Sequence, residues 1–264
     1  MKFTLHLGAF KTGTSSLQSA LFNNRSELLE YGILYPKTGI SGKATSIGHR
    51  HSKFAYGTNQ SESYRELLNQ LDTEIMGHSV NHCIMSSEAF SLPAKIPSLN
   101  LLVSHLNNHY DGTVFGIIYL RNVCRYTIAL YREWVRRWGE TRRYNEFVSH
   151  RAWAFDFVSL LEKMSNIFDS KLEVASYQEV DDIVDDFCER VNISNIMTRS
   201  ISKKNKTLNA LDIEVIRQLN SHQVSPEQKA RVMTRLEPKL ANLRVNKYQE
   251  TLTRRTLSKL AFSN

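Results

Sequence analysis

The apolar residues of this chain fall into two alternating patterns, which together predict an α/β fold. Short apolar runs of strand length occur at residues 2–7, 82–87, 113–120 and 172–176, with a brief extended piece at 32–36. Stretches with helical apolar spacing lie between or after them, at residues 15–23, 26–31, 61–76, 99–109, 125–138, 155–168 and 180–191. Strands that alternate with helices in this way are typical of a doubly wound parallel sheet flanked by helices.

The alternation stops before the C-terminal part of the chain. After about residue 208 only helical patterns remain. The sequence has no internal repeat and no clear sign of a second domain. We therefore expect a single domain over residues 1–264, with an α/β core over about 1–208 and C-terminal helices over about 209–264.

The composition is that of an ordinary globular protein and excludes several classes. Of the 264 residues, 41% are hydrophobic and 23% are charged, which excludes wholesale disorder and fibrous repeats. No apolar run approaches the roughly 20 residues that cross a bilayer, and residues 1–7 are too short an apolar stretch for a signal peptide. Three widely spaced cysteines predict neither a disulfide framework nor a metal site. We expect a cytoplasmic protein without a membrane span.

The charge is positive and unevenly distributed. The formal net charge is +8, and the segment from Arg199 onwards holds 14 basic and 5 acidic residues. Such an excess favours an anionic ligand, and nucleic acid, a polyanionic glycan or a nucleotide would all fit. A solvated basic face without a partner is the alternative interpretation.

The most specific motif lies between the first strand and the first helix. It reads Gly8-Ala-Phe-Lys11-Thr12-Gly13-Thr14-Ser15-Ser16. Backbone N–H groups in such a loop, followed by a helix N-terminus, form a cradle for an anion. The two glycines have the spacing of a P-loop, but Thr14 stands where a nucleotide triphosphatase would need its lysine. The loop can therefore bind a phosphate, but through contacts that differ from those of a nucleotide triphosphatase. The alternative is a plain turn that binds no phosphate.

The residues of this loop resemble a known family. Lys11-Thr-Gly-Thr-Ser-Ser-Leu-Gln18 looks like the 5′-phosphosulfate-binding loop of sulfotransferases, closest to bacterial members that act on carbohydrates. These enzymes use 3′-phosphoadenosine 5′-phosphosulfate (PAPS) as their donor. Weaker resemblances occur at residues 33–36, 86–88, 119–121 and 205–208. The resemblance implies a P-loop-type α/β fold and transfer of a sulfuryl group to an acceptor hydroxyl, by preference on a carbohydrate.

The resemblance also implies a set of donor-binding residues. The loop would supply Lys11, Thr12, Gly13, Thr14, Ser15 and Ser16 for the 5′-phosphosulfate. Arg121, at the end of the apolar strand 113–120, matches the arginine that binds the 3′-phosphate. Ala129 stands eight residues later, where the family has a serine, so one hydroxyl contact is missing. A surface ion pair is the alternative role for Arg121.

Three further positions follow from the resemblance alone. Tyr177, just after strand 172–176, matches an aromatic position near the adenine. Lys204 and Asn205 lie in a late basic run, residues 203–206, that would close over the 3′-phosphate. The alternative for this run is a solvated charged loop.

Sulfuryl transfer places few demands on the protein beyond positioning and electrostatics. The transferred group carries less negative charge than a phosphoryl group, so no metal is expected. Lys11 would stabilise charge that develops on the bridging oxygen. The base would be Glu88, which follows a strand, or His51, since histidine titrates near neutral pH. Glu88 could instead cap the next segment, and His51 could be an ordinary histidine; His6 is expected to be a packed structural residue.

A basic, aromatic segment at residues 131–143 allows two interpretations. Its tryptophans and arginines could line an acceptor cleft. We favour the alternative, in which Trp134 and Trp138 pack into the core and the arginines are solvated.

Two other functions remain possible on the sequence alone. A P-loop kinase of a small metabolite would use ATP and Mg²⁺, but the Walker lysine is absent. A nucleic-acid-binding module would use the basic C-terminal third, although no DNA- or RNA-reading motif is present. Because the sulfotransferase hypothesis accounts for both the loop and Arg121, we expect a nucleotide donor and a hydroxyl acceptor as partners, and no nucleic acid.

Overall fold

The computed structural model describes residues 1–41, 49–57, 61–196 and 210–222, together with residues 224, 225, 227, 228, 231, 232 and 234. Within these residues, the strands form one five-stranded parallel sheet in the order β2-β3-β1-β4-β5. Their bounds are β1 Lys2–His6, β2 Ile33–Leu34, β3 His82–Ser86, β4 Thr113–Leu120 and β5 Leu172–Ser176. The strands predicted from apolar runs are confirmed.

Helices connect and follow the strands, as predicted. Their bounds are α1 Thr14–Asn23, α2 Arg25–Glu30, α3 Glu62–Met76, α4 Ile96–Tyr110, α5 Val123–Trp138, α6 Tyr144–His150, α7 Phe157–Phe168, α8 Ile183–Val191 and α9 Ala210–Ser221. Capping side chains explain two shifted boundaries. Helix α5 begins earlier than predicted because the side chain of Asn122 accepts hydrogen bonds from the next N–H groups, and α8 begins later because Asp182 does the same.

The sheet is covered on both faces, which confirms the doubly wound α/β fold. Successive side chains of a strand point to opposite faces. Phe3 and Leu5 of β1 join a buried cluster that includes residues of α3, α4 and α7. A second buried cluster contains residues of β3, β4 and β5 with α1, α2 and α8. Burial of these two apolar layers is the main stabilising contribution to this part of the chain.

The order of the strands determines where a ligand can bind. From β1 the chain moves towards the β2 edge, whereas from β3 and from β4 it moves towards the β5 edge. Connections that diverge in this way leave a crevice outside the carboxyl ends of the strands. The loop after β1 lies at this crevice, between the ends of β3 and β4.

The chain divides into two compact units. The first comprises residues 1–121 and 157–202 and contains the sheet; the second comprises residues 122–156 and 203–264. In the second unit, the buried Asn220 of α9 donates hydrogen bonds to the carbonyls of Val135 and Glu140, which fixes α9 against the end of α5. The described part of the C-terminal region is helical, as predicted, and whether residues 1–264 behave as a single domain stays a prediction.

The prediction that both tryptophans of the basic helix pack into the core is wrong for Trp138. Its side chain is 70% exposed at the last turn of α5. Trp134 is half-buried, and the guanidinium of Arg151 lies 3.7 Å from its ring centroid. The helix also ends at Trp138 because Gly139 adopts a positive φ of 70°, a conformation that terminates helices. None of the helices in the described ranges is long and apolar enough to cross a membrane.

Candidate active site at the carboxyl edge of the sheet

The loop after β1 is held in a tight conformation by three residues with positive φ. Gly8, Lys11 and Gly13 have φ values of 42°, 64° and 77°. A Cβ atom at Gly8 would lie 2.9 Å from Cγ2 of Thr14, so only glycine fits where the loop turns back on itself. Lys11 holds a left-handed conformation without being glycine, and such strain occurs most often at functional sites.

Helix α1 begins without a side-chain cap. Gly13 is its N-cap residue, and the N–H groups of Ser16 and Leu17 both bond to the carbonyl of Gly13. The first-turn N–H groups of a helix have no intrahelical acceptor, and they carry the positive end of the helix dipole. The amides of Thr14 and Ser15 are therefore placed to bind an anion.

The hydroxyl groups of the loop divide into two sets. Those of the buried Thr12 and Thr14 donate within the protein, to the carbonyl of Ala9 at 2.7 Å and to Oε1 of Glu88 at 2.5 Å. Ser15 and Ser16 are partly exposed. Of the predicted loop residues, the two threonines thus use their side chains to shape the loop, and only the serines present hydroxyls at its surface.

Arg121 lies against this loop. Its Nη1 donates to the backbone carbonyl of Lys11 at 3.1 Å, although 110 residues separate the two. The guanidinium carbon is 5.5 Å from the ring centroid of Tyr177, which begins the turn after β5. The same ring lies 3.4 Å from where a Cβ of Gly13 would be. Arg121, Tyr177 and the loop therefore form one contiguous group.

Glu88 joins this group from the other side of β1. It follows β3, is buried, and accepts the Thr14 hydroxyl through Oε1. Its other oxygen, Oε2, lies 3.6 Å from Nη1 of Arg50 and accepts no hydrogen bond from any residue that the structure describes. A buried carboxylate oxygen without a hydrogen-bond donor is unusual, and it is one of the features that mark a working site.

His51, the second predicted base, has no ring nitrogen available for catalysis. The ring is fully buried; Nδ1 accepts the N–H of Ser86 at 3.1 Å, and Nε2 bonds the carbonyl of Pro36 at 2.8 Å. These partners fix the tautomer with its proton on Nε2. Burial lowers the pKa of His51 to about 4, so the ring is neutral at physiological pH. His51 connects β3 to the segment that follows β2.

A buried polar group supports the site from beneath. Nδ1 of His6 is 2.7 Å from Oγ of Ser86, and the amide nitrogen of Gln18 donates to the same oxygen at 3.2 Å. Burial lowers the pKa of His6 to about 3, as expected for a packed neutral histidine. This group connects β1, β3 and α1 directly below the loop.

The structure does not test three predicted positions at this group. Ala129 lies on α5, in the second unit, and is partly exposed. Lys204 and Asn205 lie outside the described residues. Their roles at the 3′-phosphate stay predictions.

Arg50 is the residue that sequence reasoning missed. Its backbone pairs with Ser41 in an isolated antiparallel bridge, which places its side chain beside Glu88. A loop rich in polar residues contains no periodic pattern, so the only available signal was that Arg50 immediately precedes His51. The hydrogen bond between Thr14 and Glu88 could not be predicted either, because it joins residues 74 positions apart.

Comparison with solved structures finds a bacterial protein of similar fold. The chain is similar to a sulfotransferase from Alicyclobacillus acidocaldarius, with 15% sequence identity and a TM-score of 0.47; the similarity covers 90% of this chain and 92% of that one. No protein-family model matches the chain, and no curated protein sequence matches it. At this level of similarity, the function must be argued from the residues of the site.

Proposed function

We propose that the protein is a sulfotransferase that moves a sulfuryl group from PAPS to an acceptor hydroxyl, by preference on a carbohydrate. One observation carries the proposal: Lys11, Arg121, Tyr177 and Glu88, which follow four different strands, gather around the uncapped start of α1. A nucleotide donor and a hydroxyl acceptor require these groups: an ammonium, a guanidinium with several N–H donors, an aromatic ring and a carboxylate.

The donor would bind across the loop. The amides of the first turn of α1 and the hydroxyls of Ser15 and Ser16 would hold the 5′-phosphosulfate. A guanidinium has five N–H donors, so Arg121 can bond the Lys11 carbonyl and also bind the 3′-phosphate. The ring of Tyr177 lies between these two sites and would contact the adenine.

The residues have complementary roles in the reaction. The acceptor oxygen forms a bond to sulfur, while the bond between sulfur and the bridging oxygen breaks and its electron pair stays on the 5′-phosphate. Lys11 stabilises the negative charge that develops on that oxygen. The acceptor proton passes to Oε2 of Glu88, the carboxylate oxygen that has no hydrogen-bond donor within the described residues.

We propose Glu88 rather than His51 as the base. Thr14 fixes the orientation of the Glu88 carboxylate by donating to Oε1, while Oε2, buried beside Arg50, accepts no hydrogen bond within the described residues. Both ring nitrogens of His51 are occupied by the backbone of Ser86 and Pro36. His51 would therefore act as a positioning residue that holds β3 and the Glu88 turn in place.

The site offers less support for a kinase. The position of the Walker lysine is occupied by Thr14, whose hydroxyl bonds to Glu88. The nucleic-acid hypothesis depends on the basic C-terminal segment, most of which lies outside the described residues.

A thermal-shift comparison tests the proposed function. Adenosine 3′,5′-bisphosphate in EDTA should stabilise the protein, because a ligand that binds only the native state adds about 2.7 kcal/mol at 100 times its Kd. For a chain of this size that is a rise in Tm of about 5 °C. The shift should be lost in Lys11→Ala and kept in Lys163→Ala, a control on the exposed face of α7. Stabilisation by ATP–Mg²⁺ and not by the bisphosphate would contradict the proposal.

A further inference from the structure

A cavity of mixed polar and apolar lining lies beside the candidate active site within the first unit. Its volume is about 590 Å³, within the usual range of about 300–1,000 Å³ for small-molecule sites. Its lining includes Ser41, Arg50, Ser52, Lys53, Tyr56 and Gln70. We refer to it as the side cavity.

The side cavity is formed by structured elements. The bridge between Ser41 and Arg50 forms one wall, and the 3-10 turn Ser52–Tyr56 forms another. The turn is fixed by its buried residues Phe54 and Ala55, which belong to the main core cluster. Helix α3 provides the third wall. The polar side chains of the cavity are therefore attached to fixed backbone.

The chemistry of the lining favours an anionic sugar. Hydroxyl and amide groups, an aromatic face and two cations are present, and the lining contains no carboxylate among the residues that the structure describes. Tyr56 is exposed, and the ammonium of Lys95, which is not part of the lining, lies 4.1 Å from its ring centroid. Sugar rings stack on aromatic faces, and carboxylate or sulfate groups pair with lysine and arginine.

Arg50 connects the side cavity to the candidate base. Its side chain lines the cavity, and its Nη1 lies 3.6 Å from Oε2 of Glu88. The turn Ser52–Tyr56 also packs against the turn Glu88–Ser91 that carries the carboxylate. Glu88 itself does not line the cavity, so Arg50 is the side chain that joins a molecule in the cavity to the buried carboxylate.

We propose that the side cavity is the acceptor site and that it selects an anionic oligosaccharide. Lys53 and Arg50 pair with uronate or sulfate groups, Tyr56 supports a sugar ring, and a hydroxyl of the adjacent sugar reaches Glu88. This assignment rests on the proposed function for the identity of the reaction. The binding of the saccharide itself needs no donor and is tested separately.

Calorimetric titration tests the assignment. The probes are two uronate-containing hexasaccharides, one alternating glucuronate with N-acetylglucosamine and one of galacturonate, each with its carboxyl-reduced neutral counterpart. At least one anionic probe should bind about tenfold more tightly than its neutral counterpart. Lys53→Gln and Tyr56→Ala should each weaken that binding about five- to tenfold. Lys163→Gln, a matched surface control on α7, should not change it.

Three results would overturn the proposal: neither anionic probe binds at millimolar concentration, anionic and neutral probes bind equally, or Lys53→Gln binds like the wild type. Tight binding of an acidic peptide without any saccharide binding would overturn the proposal in the same way as the first result. Titration of adenosine 3′,5′-bisphosphate into the same proteins separates the two claims. Lys53→Gln should leave nucleotide affinity unchanged. Saccharide binding without nucleotide binding would refute the proposed function and leave only saccharide binding in the side cavity standing.

Discussion

Gly13 gives the sharpest test of the loop geometry. Gly13→Ala places a Cβ atom 2.9 Å from Cγ2 of Ile183 and 3.4 Å from Cε2 of Tyr177, on a backbone with φ of 77°. The left-handed conformation costs roughly 1–2 kcal/mol for a residue other than glycine. The overpacking against Ile183 adds about 1–3 kcal/mol. We expect the free energy of unfolding to fall by about 2–5 kcal/mol and nucleotide affinity to fall with it, because Tyr177 and the start of α1 are displaced.

Gly32→Ala is the matched control in the same unit. Gly32 has a φ of 72°, but its nearest neighbour would be Oδ1 of Asn81 at 3.7 Å, an ordinary contact. In this variant the free energy of unfolding should fall only by the cost of the left-handed backbone conformation, about 1–2 kcal/mol. Urea unfolding of both variants and titration with adenosine 3′,5′-bisphosphate provide the comparison. Equal losses of stability, with unchanged nucleotide affinity in Gly13→Ala, would refute the close packing of the loop against Tyr177 and Ile183.

Three other substitutions have distinct expected outcomes. Glu88→Gln should lower kcat by about 10²–10⁴ because the proton acceptor is lost, and it should leave nucleotide affinity unchanged because the amide oxygen can still accept the Thr14 hydroxyl. Steady-state kinetics with an unchanged kcat would exclude Glu88 as the base. Arg121→Lys should weaken the binding of adenosine 3′,5′-bisphosphate about tenfold and leave the binding of adenosine 5′-monophosphate unchanged, because the guanidinium fork is lost while the charge remains. Equal losses of affinity for both nucleotides would show that Arg121 does not bind the 3′-phosphate. His51→Gln should flatten the dependence of stability on pH. The folded-state pKa of His51 is lowered to about 4. The unfolded chain therefore binds more protons between about pH 6.5 and 4, and stability falls as the pH falls through this window, by up to about 1.4 kcal/mol per unit. Urea unfolding at pH 7, 6 and 5 should show that slope in the wild type and a smaller one in the variant, and parallel slopes would contradict this.

The sequence predicted the fold because its signals are local and periodic. Apolar runs such as residues 113–120 and helical spacing such as residues 61–76 depend on neighbours along the chain, and each appears within two residues of its predicted bounds. The boundaries that moved are set by single capping side chains, Asn122 and Asp182. The exposure of Trp138 could not be predicted from its spacing with Trp134, because the helix ends there and residues 136–139 are exposed, whereas Val135 in the same turn is buried.

The candidate site was only partly predictable. A strand, a glycine-rich loop and a helix start form a local pattern, and a strand followed by Arg121 or Glu88 places each residue at the carboxyl edge of the sheet. The roles of individual side chains in the site depend on contacts between residues that are far apart along the chain. Thr14 bonds to Glu88, Arg50 approaches the same carboxylate, and His51 is buried with both ring nitrogens bonded. No spacing along the chain encodes these contacts.

The central claim is that the loop after β1, together with Arg121, binds a 3′,5′-bisphosphorylated adenosine. Amide and arginine side-chain NMR spectra, recorded while adenosine 3′,5′-bisphosphate is added in EDTA, test it most directly. We predict that the largest shifts fall on the backbone N–H groups of residues 12–16 and on the Nε–H of Arg121, and that Lys11→Ala suppresses both. Saturable binding whose shifts lie elsewhere, or no shift at millimolar nucleotide, would contradict the claim.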